Sequence, residues 1–141
     1  MAVEVRGLLA SGIDIVRLTL HVLAASIWVG GQITLAALVP SLRKEGKGVT
    51  KVAANAFARL SWPTYFILVI TGLWNTTTFD MAKMSTAWKI VLGVKIVVFG
   101  IAGLSAYLHQ RAKSPAANGI WGGITALSSV AVLVMGIALA G

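Results

Sequence analysis

Four side chains in this sequence have types and settings that could do chemistry: His21, Lys95, and the methionine pair Met81 and Met84. His21 lies in a run, residues 18–39, that holds no other ionisable residue. A neutral imidazole nitrogen ligates copper or haem iron. An ionisable ring inside hydrocarbon is costly, so it needs a ligand or a partner. The alternative to a ligand is a hydrogen bond to a neighbouring helix, with Asn75 or Thr71 as candidates. Trp28 follows seven residues on, then Val29, Gly30 and Gly31. Its indole could stack on a flat cofactor or pack against glycine. Lys95 could meet a propionate or another anion, or snorkel to the headgroups. The thioethers of Met81 and Met84, three residues apart, suit Cu(I), with Asp80 and Met135 available to add to them. The plainer reading is two apolar residues anchoring a short loop. Asp14 could pair with Lys95 or, at i+3, with Arg17.

The elements that must position these groups follow from composition. Of 141 residues, 57% are hydrophobic and 11% charged. Soluble domains carry about 25% charged residues, so the chain belongs in a bilayer. Nearly uncharged stretches cover residues 18–39, 60–79, 90–108 and 120–140. Each is close to the roughly 20 residues that cross about 30 Å of hydrocarbon. The expected fold is an all-α integral membrane domain over residues 1–141. It is an antiparallel bundle of four transmembrane helices near 13–39, 60–79, 87–109 and 119–140. The first run reads as a retained helix, since Glu4 and Asp14 precede it and no small-residue cleavage site closes it.

The net charge of +8 fits basic loops beside lipid better than nucleic acid. Arg43, Lys44, Lys47, Lys51 and Arg59 lie in the first loop, and Arg111 and Lys113 in the third. Arg6, Arg17, Lys83 and Lys89 lie on the other side, diluted by Glu4, Asp14 and Asp80. This places loops one and three in the cytoplasm and both termini outside. Gly46 and Gly48 should break the chain after Pro40. Thr50 would then cap a helix entering the second span, which tolerates Pro63. The chain has no cysteine, which excludes disulfides, thiolate metal sites and iron–sulfur clusters.

At 100° per residue, positions 7 and 11 apart share a face. That aligns His21, Trp28 and Gln32 on the first helix, and Thr64, Thr71 and Asn75 on the second. Trp88, Lys95, Phe99 and Ala102 align on the third, and Thr125, Ser128 or Ser129, and Met135 on the fourth. Such stripes face the bundle interior. By depth, His21, Asn75, Lys95 and Met135 can converge on one pocket in the outer leaflet. His109 falls at the opposite end, roughly 20 Å away by helix rise, too far to share a metal or haem with His21. The other tryptophans, Trp62, Trp74, Trp88 and Trp121, sit near span ends as an aromatic belt.

Several of these motifs resemble the copper-resistance D family of membrane proteins. They are His21 with Trp28–Gly31, Ala58-Arg59-Leu60-Ser61, Thr71-Gly72 with Asn75, and Trp88 through Gly93 leading to Lys95. The layout is also similar to the HemJ-type protoporphyrinogen oxidase family of short four-helix proteins, with a histidine in helix one and a lysine in helix three. The first resemblance implies copper handling, with His21 as the leading ligand. The second implies porphyrin or haem; a haem b site here would have His21 as axial ligand, Lys95 at a propionate, Met135 or no residue on the far side, and Trp28 and Asn75 as further cofactor-binding residues. A third expectation is an accessory subunit of a larger membrane complex, or a homo-oligomer, in which the helices only pack. No nucleophile–base pair, phosphate loop or zinc motif supports hydrolysis or group transfer.

Overall fold

The computed structural model describes residues 9–140, so Glu4 and Arg6 of the orientation count lie outside the described residues. Four helices long and apolar enough to cross a membrane are present: α1 Gly12–Glu45, α2 Val49–Thr76, α3 Thr86–Arg111 and α4 Pro115–Ala140. Short links make consecutive helices antiparallel, and the chain is a four-helix membrane bundle as expected. α1 packs mainly on α2 and α3 mainly on α4, giving two helical hairpins set side by side.

Local chemistry sets the helix ends. The Ser11 hydroxyl accepts from the Asp14 amide at 3.3 Å, and the Ser85 hydroxyl accepts from the Trp88 amide at 3.1 Å. Both satisfy amides that have no partner in the first helical turn. The α1–α2 turn uses Gly46 at φ 144° and Gly48 at φ 90°, values that L side chains avoid. Gly48 takes the capping position that Thr50 was expected to hold. α1 therefore runs through Pro40 to Glu45, beyond the expected end at 39, and α2 begins at Val49 rather than 60 and ends at Thr76. An apolar run measures only the length in hydrocarbon. A helix continues past it until a breaker arrives, and here that breaker is Gly46.

α1 is not a regular helix throughout. Ser26–Gly30 forms a π turn, with Trp28 at its centre. The Ser26 hydroxyl donates to the Val22 carbonyl at 2.8 Å just before the widened turn. Residues in an i→i+5 turn rotate less per step than α-helical ones, so the face after the turn lags the face before it. His21 consequently looks toward α2, while Gln32 looks toward α4. The single stripe expected on this helix is split between two neighbours.

The interior is small and polar, and the exterior is large and apolar. Ala24, Ala102, Ala106, Ser61, Thr64, Thr71, Ser105, Thr125, Ser128 and Ser129 are buried. Leu73, Leu104, Leu127 and Ile137 face outward. Lipid rewards this inversion, because small residues allow close helix approach and hydroxyls bond across it. The Thr125 hydroxyl meets that of Ser105 at 2.9 Å between α4 and α3. Tyr65 on α2 stacks on Phe99 of α3 with centroids 4.4 Å apart and planes at 9°, and its hydroxyl donates to the Phe99 carbonyl at 3.0 Å.

Candidate functional site: a cationic polar cluster at one end of the bundle

Asp14, Arg17 and His21 succeed one another at i, i+3 and i+7, which puts them on one face of α1. Arg17 is only 7% exposed, despite its formal charge. Its guanidinium donates to Asp14 Oδ1 at 2.8 Å and to Asn75 Oδ1 on α2. The Ser11 hydroxyl donates to the other Asp14 oxygen at 2.6 Å. Asp14 therefore aims Arg17 across the helix gap, and Asn75 receives it.

One turn deeper, His21 Nδ1 lies 2.8 Å from Thr71 Oγ1. The Thr71 hydroxyl already donates to the Ile67 carbonyl at 2.7 Å, so toward the ring it accepts. An Nδ1–H ring completes that bond, and a neutral ring so arranged carries its lone pair on Nε2, the form that ligates a metal. The ring edge rests near Gly72, with Cε1 3.8 Å from where a β-carbon there would stand.

Lys95 approaches from α3. Its ammonium lies 3.2 Å from the position a β-carbon would take on Gly136 of α4. Arg17 stands four residues before His21 on the same face of α1. The cluster thus combines two cations, one carboxylate, an imidazole and the polar groups of Asn75 and Thr71.

The structure brings the expected residues together unevenly. His21, Asn75 and Lys95 occupy the same end. His21 chooses Thr71, and Asn75 binds Arg17. Met135 is half-buried and adjoins Gly136, where the Lys95 ammonium rests. Trp28 sits deeper, 3% exposed, with its N–H on Ser129 at 2.9 Å and its ring 4.9 Å from Tyr65. This places it in an aromatic core. Met81 is exposed and Met84 half-buried in the link between α2 and α3. There the Asp80 carboxylate is engaged by Lys83 at 3.1 Å and by the Ala82 amide at 3.1 Å. Among the described residues no three His, Asp or Glu side chains converge as a metal site. His109 lies at the far end of α3, its Nδ1 2.8 Å from the Asn118 carbonyl.

Of the two partners expected for Asp14, the structure gives it Arg17, at i+3; what sequence reasoning missed is that Arg17, counted as a loop cation, is buried and reaches Asn75. The signal was present: Arg17 is three residues after Asp14 and four before His21, on the polar face extended toward the N-terminus.

Thr71→Val keeps the side-chain volume and removes the acceptor for His21. The expected cost is about 1 kcal/mol, with both imidazole tautomers populated where the wild type holds one. Nitrogen chemical shifts of the ring read this directly. A pure Nδ1–H form persisting in the variant would show that Thr71 does not set the proton.

Comparison with family models, with curated proteins and with solved structures finds no match for this chain. The structure establishes a multi-pass membrane protein, a four-helix bundle carrying a cationic polar cluster at one end.

Proposed function

We propose that the protein is a haem b-binding membrane protein, with the cluster at the Gly12 end as its site. The observation that carries this is His21, half-buried with Nδ1 on Thr71, at the end of the bundle where Arg17 is buried and Lys95 rests against Gly136. His21 Nε2 would hold the iron, and Arg17 and Lys95 would hold the propionates. Thr71 keeps the proton on Nδ1, Asp14 orients Arg17, and Asn75 braces it from α2. When bound, haem supplies one-electron redox chemistry, tuned by the polarity around it. The resemblance to both families supports a ligand at this histidine.

Copper handling rests on the same histidine but fits the surroundings less well. A neighbouring cation opposes a bare metal ion by about 4 kcal/mol at 4 Å and an effective dielectric constant of 20. A carboxylate-bearing porphyrin gains from that same field. The charge distribution also supports a topology with the Gly12 end outside. At the opposite end Arg43, Lys44, Lys47, Lys51, Arg59, Arg111 and Lys113 are all exposed.

An absorption spectrum of protein purified from haem-supplemented cells tests this. The expected result is a Soret band that is lost in His21→Ala and a roughly tenfold weaker haem affinity in Lys95→Met. Stoichiometric copper without a Soret band would replace this reading with copper handling. Neither cofactor, together with co-purification in a defined complex, would make the protein an accessory subunit.

A further inference from the structure

Seven serines and threonines are buried in the bundle, and six of them donate to a carbonyl of their own helix. Ser61 donates to Ala58, Thr64 to Leu60, Thr71 to Ile67, Ser105 to Ala102, Thr125 to Trp121 and Ser128 to Ile124. Ser129 is different. It is 3% exposed, and its oxygen accepts from Trp28 Nε1 at 2.9 Å and from Gln32 Nε2 at 3.3 Å. Its own proton has no acceptor among the described residues. If the Gln32 amide is turned about, the serine donates to it and both amide N–H groups become uncommitted. In either orientation a hydrogen-bond donor is left over.

Ser129 and Gln32 line a notch in the α1–α4 seam together with Val29, Ile33, Ala36, Ala126 and Val130. Ile33, Ala36, Ala126 and Val130 are exposed, so the notch opens toward lipid. Ser129 lies near the middle of the apolar run 120–140, roughly 14 Å from one end and roughly 17 Å from the other by helix rise. Water is absent at that depth, and an unmatched donor costs several kcal/mol. Phospholipid ester carbonyls stay at the interface, and acyl chains carry no acceptor. The fitting ligand is lipid-soluble and brings a carbonyl to the bilayer midplane.

We propose that this notch binds a quinone. The ring lies between Ala36 and Ala126, whose small side chains leave room for it, and one ring carbonyl accepts from Ser129 or Gln32. The apolar tail runs along the lipid-facing surface of α1 and α4. The proposal is independent of the haem reading, since none of its residues belongs to the cluster at the Gly12 end.

The test uses the full chain in phosphatidylcholine nanodiscs, titrated with decylubiquinone and followed by tryptophan emission. The expected result is a saturable quenching component above the linear collisional background. Ser129→Ala should weaken it about tenfold. Ala126→Leu, which fills the notch from an exposed position and leaves Trp28, Gln32 and Ser129 unchanged, should abolish it. Decylbenzene, of matched shape without a carbonyl, should not compete. Purely linear quenching, equal quenching in Ala126→Leu, or competition by decylbenzene would each overturn the proposal. So would cross-linking of two copies through position 126 with no saturable component, which would assign the notch to helix pairing.

Discussion

Arg17→Ala is expected to lower stability by about 2–3 kcal/mol and to abolish tight anion or haem binding at the cluster. Arg17 is a cation 7% exposed at the end of a membrane helix, and its hydrogen bond to Asn75 joins α1 to α2. A hydrogen bond to a charged group contributes about 1.5–3 kcal/mol. Its removal also leaves Asn75 facing a gap. Arg17→Lys should not rescue either property. A single ammonium cannot span Asp14 and Asn75 as the planar guanidinium fork does. Unfolding of the reconstituted protein in SDS titrations measures the first effect, and haem titration the second. Wild-type stability in Arg17→Ala would show that the cluster does not hold the two helices together.

Gly103→Ala should be as damaging, by about 2–4 kcal/mol, although it adds one methyl group. A β-carbon at position 103 would overlap the Tyr65 hydroxyl and stand 2.5 Å from its Cζ. The Tyr65 ring cannot easily yield. It is stacked on Phe99, lies 4.9 Å from Trp28, and donates to the Phe99 carbonyl. Overpacking costs about 1–3 kcal/mol, and losing the hydrogen bond adds about 1 kcal/mol. Gly31→Ala meets the tip of the half-buried Phe57 ring instead, which can swing away, so its cost should be smaller. Adding Tyr65→Leu to Gly103→Ala should restore part of the loss. Equal thermal stability of Gly103→Ala and the wild type would place the α2–α3 contact elsewhere.

Much of the fold was legible because hydrocarbon imposes a length on any helix that crosses it. Four uncharged runs therefore read directly as four spans. The inward stripes were legible for the same reason, since Thr64, Thr71, Thr125 and Ser129 have no favourable place against lipid. Helix ends were less legible. Arg43, Lys44 and Lys51 look like loop residues by charge, yet nothing in them stops a helix, and α1 continues until Gly46.

By itself, the sequence determined the number of spans, their antiparallel order, and the end of the bundle at which His21, Asn75 and Lys95 lie. These depend on composition and rise along each helix, which are local properties. Only the tertiary structure decided which groups touch. It turned Arg17 inward to Asn75, gave His21 to Thr71, rested Lys95 against Gly136 and set Ser129 against Trp28 and Gln32. Those choices depend on how each helix is rotated against its neighbours. The π turn at Ser26–Gly30 alters that rotation midway along α1, and a constant 100° per residue carries no trace of it.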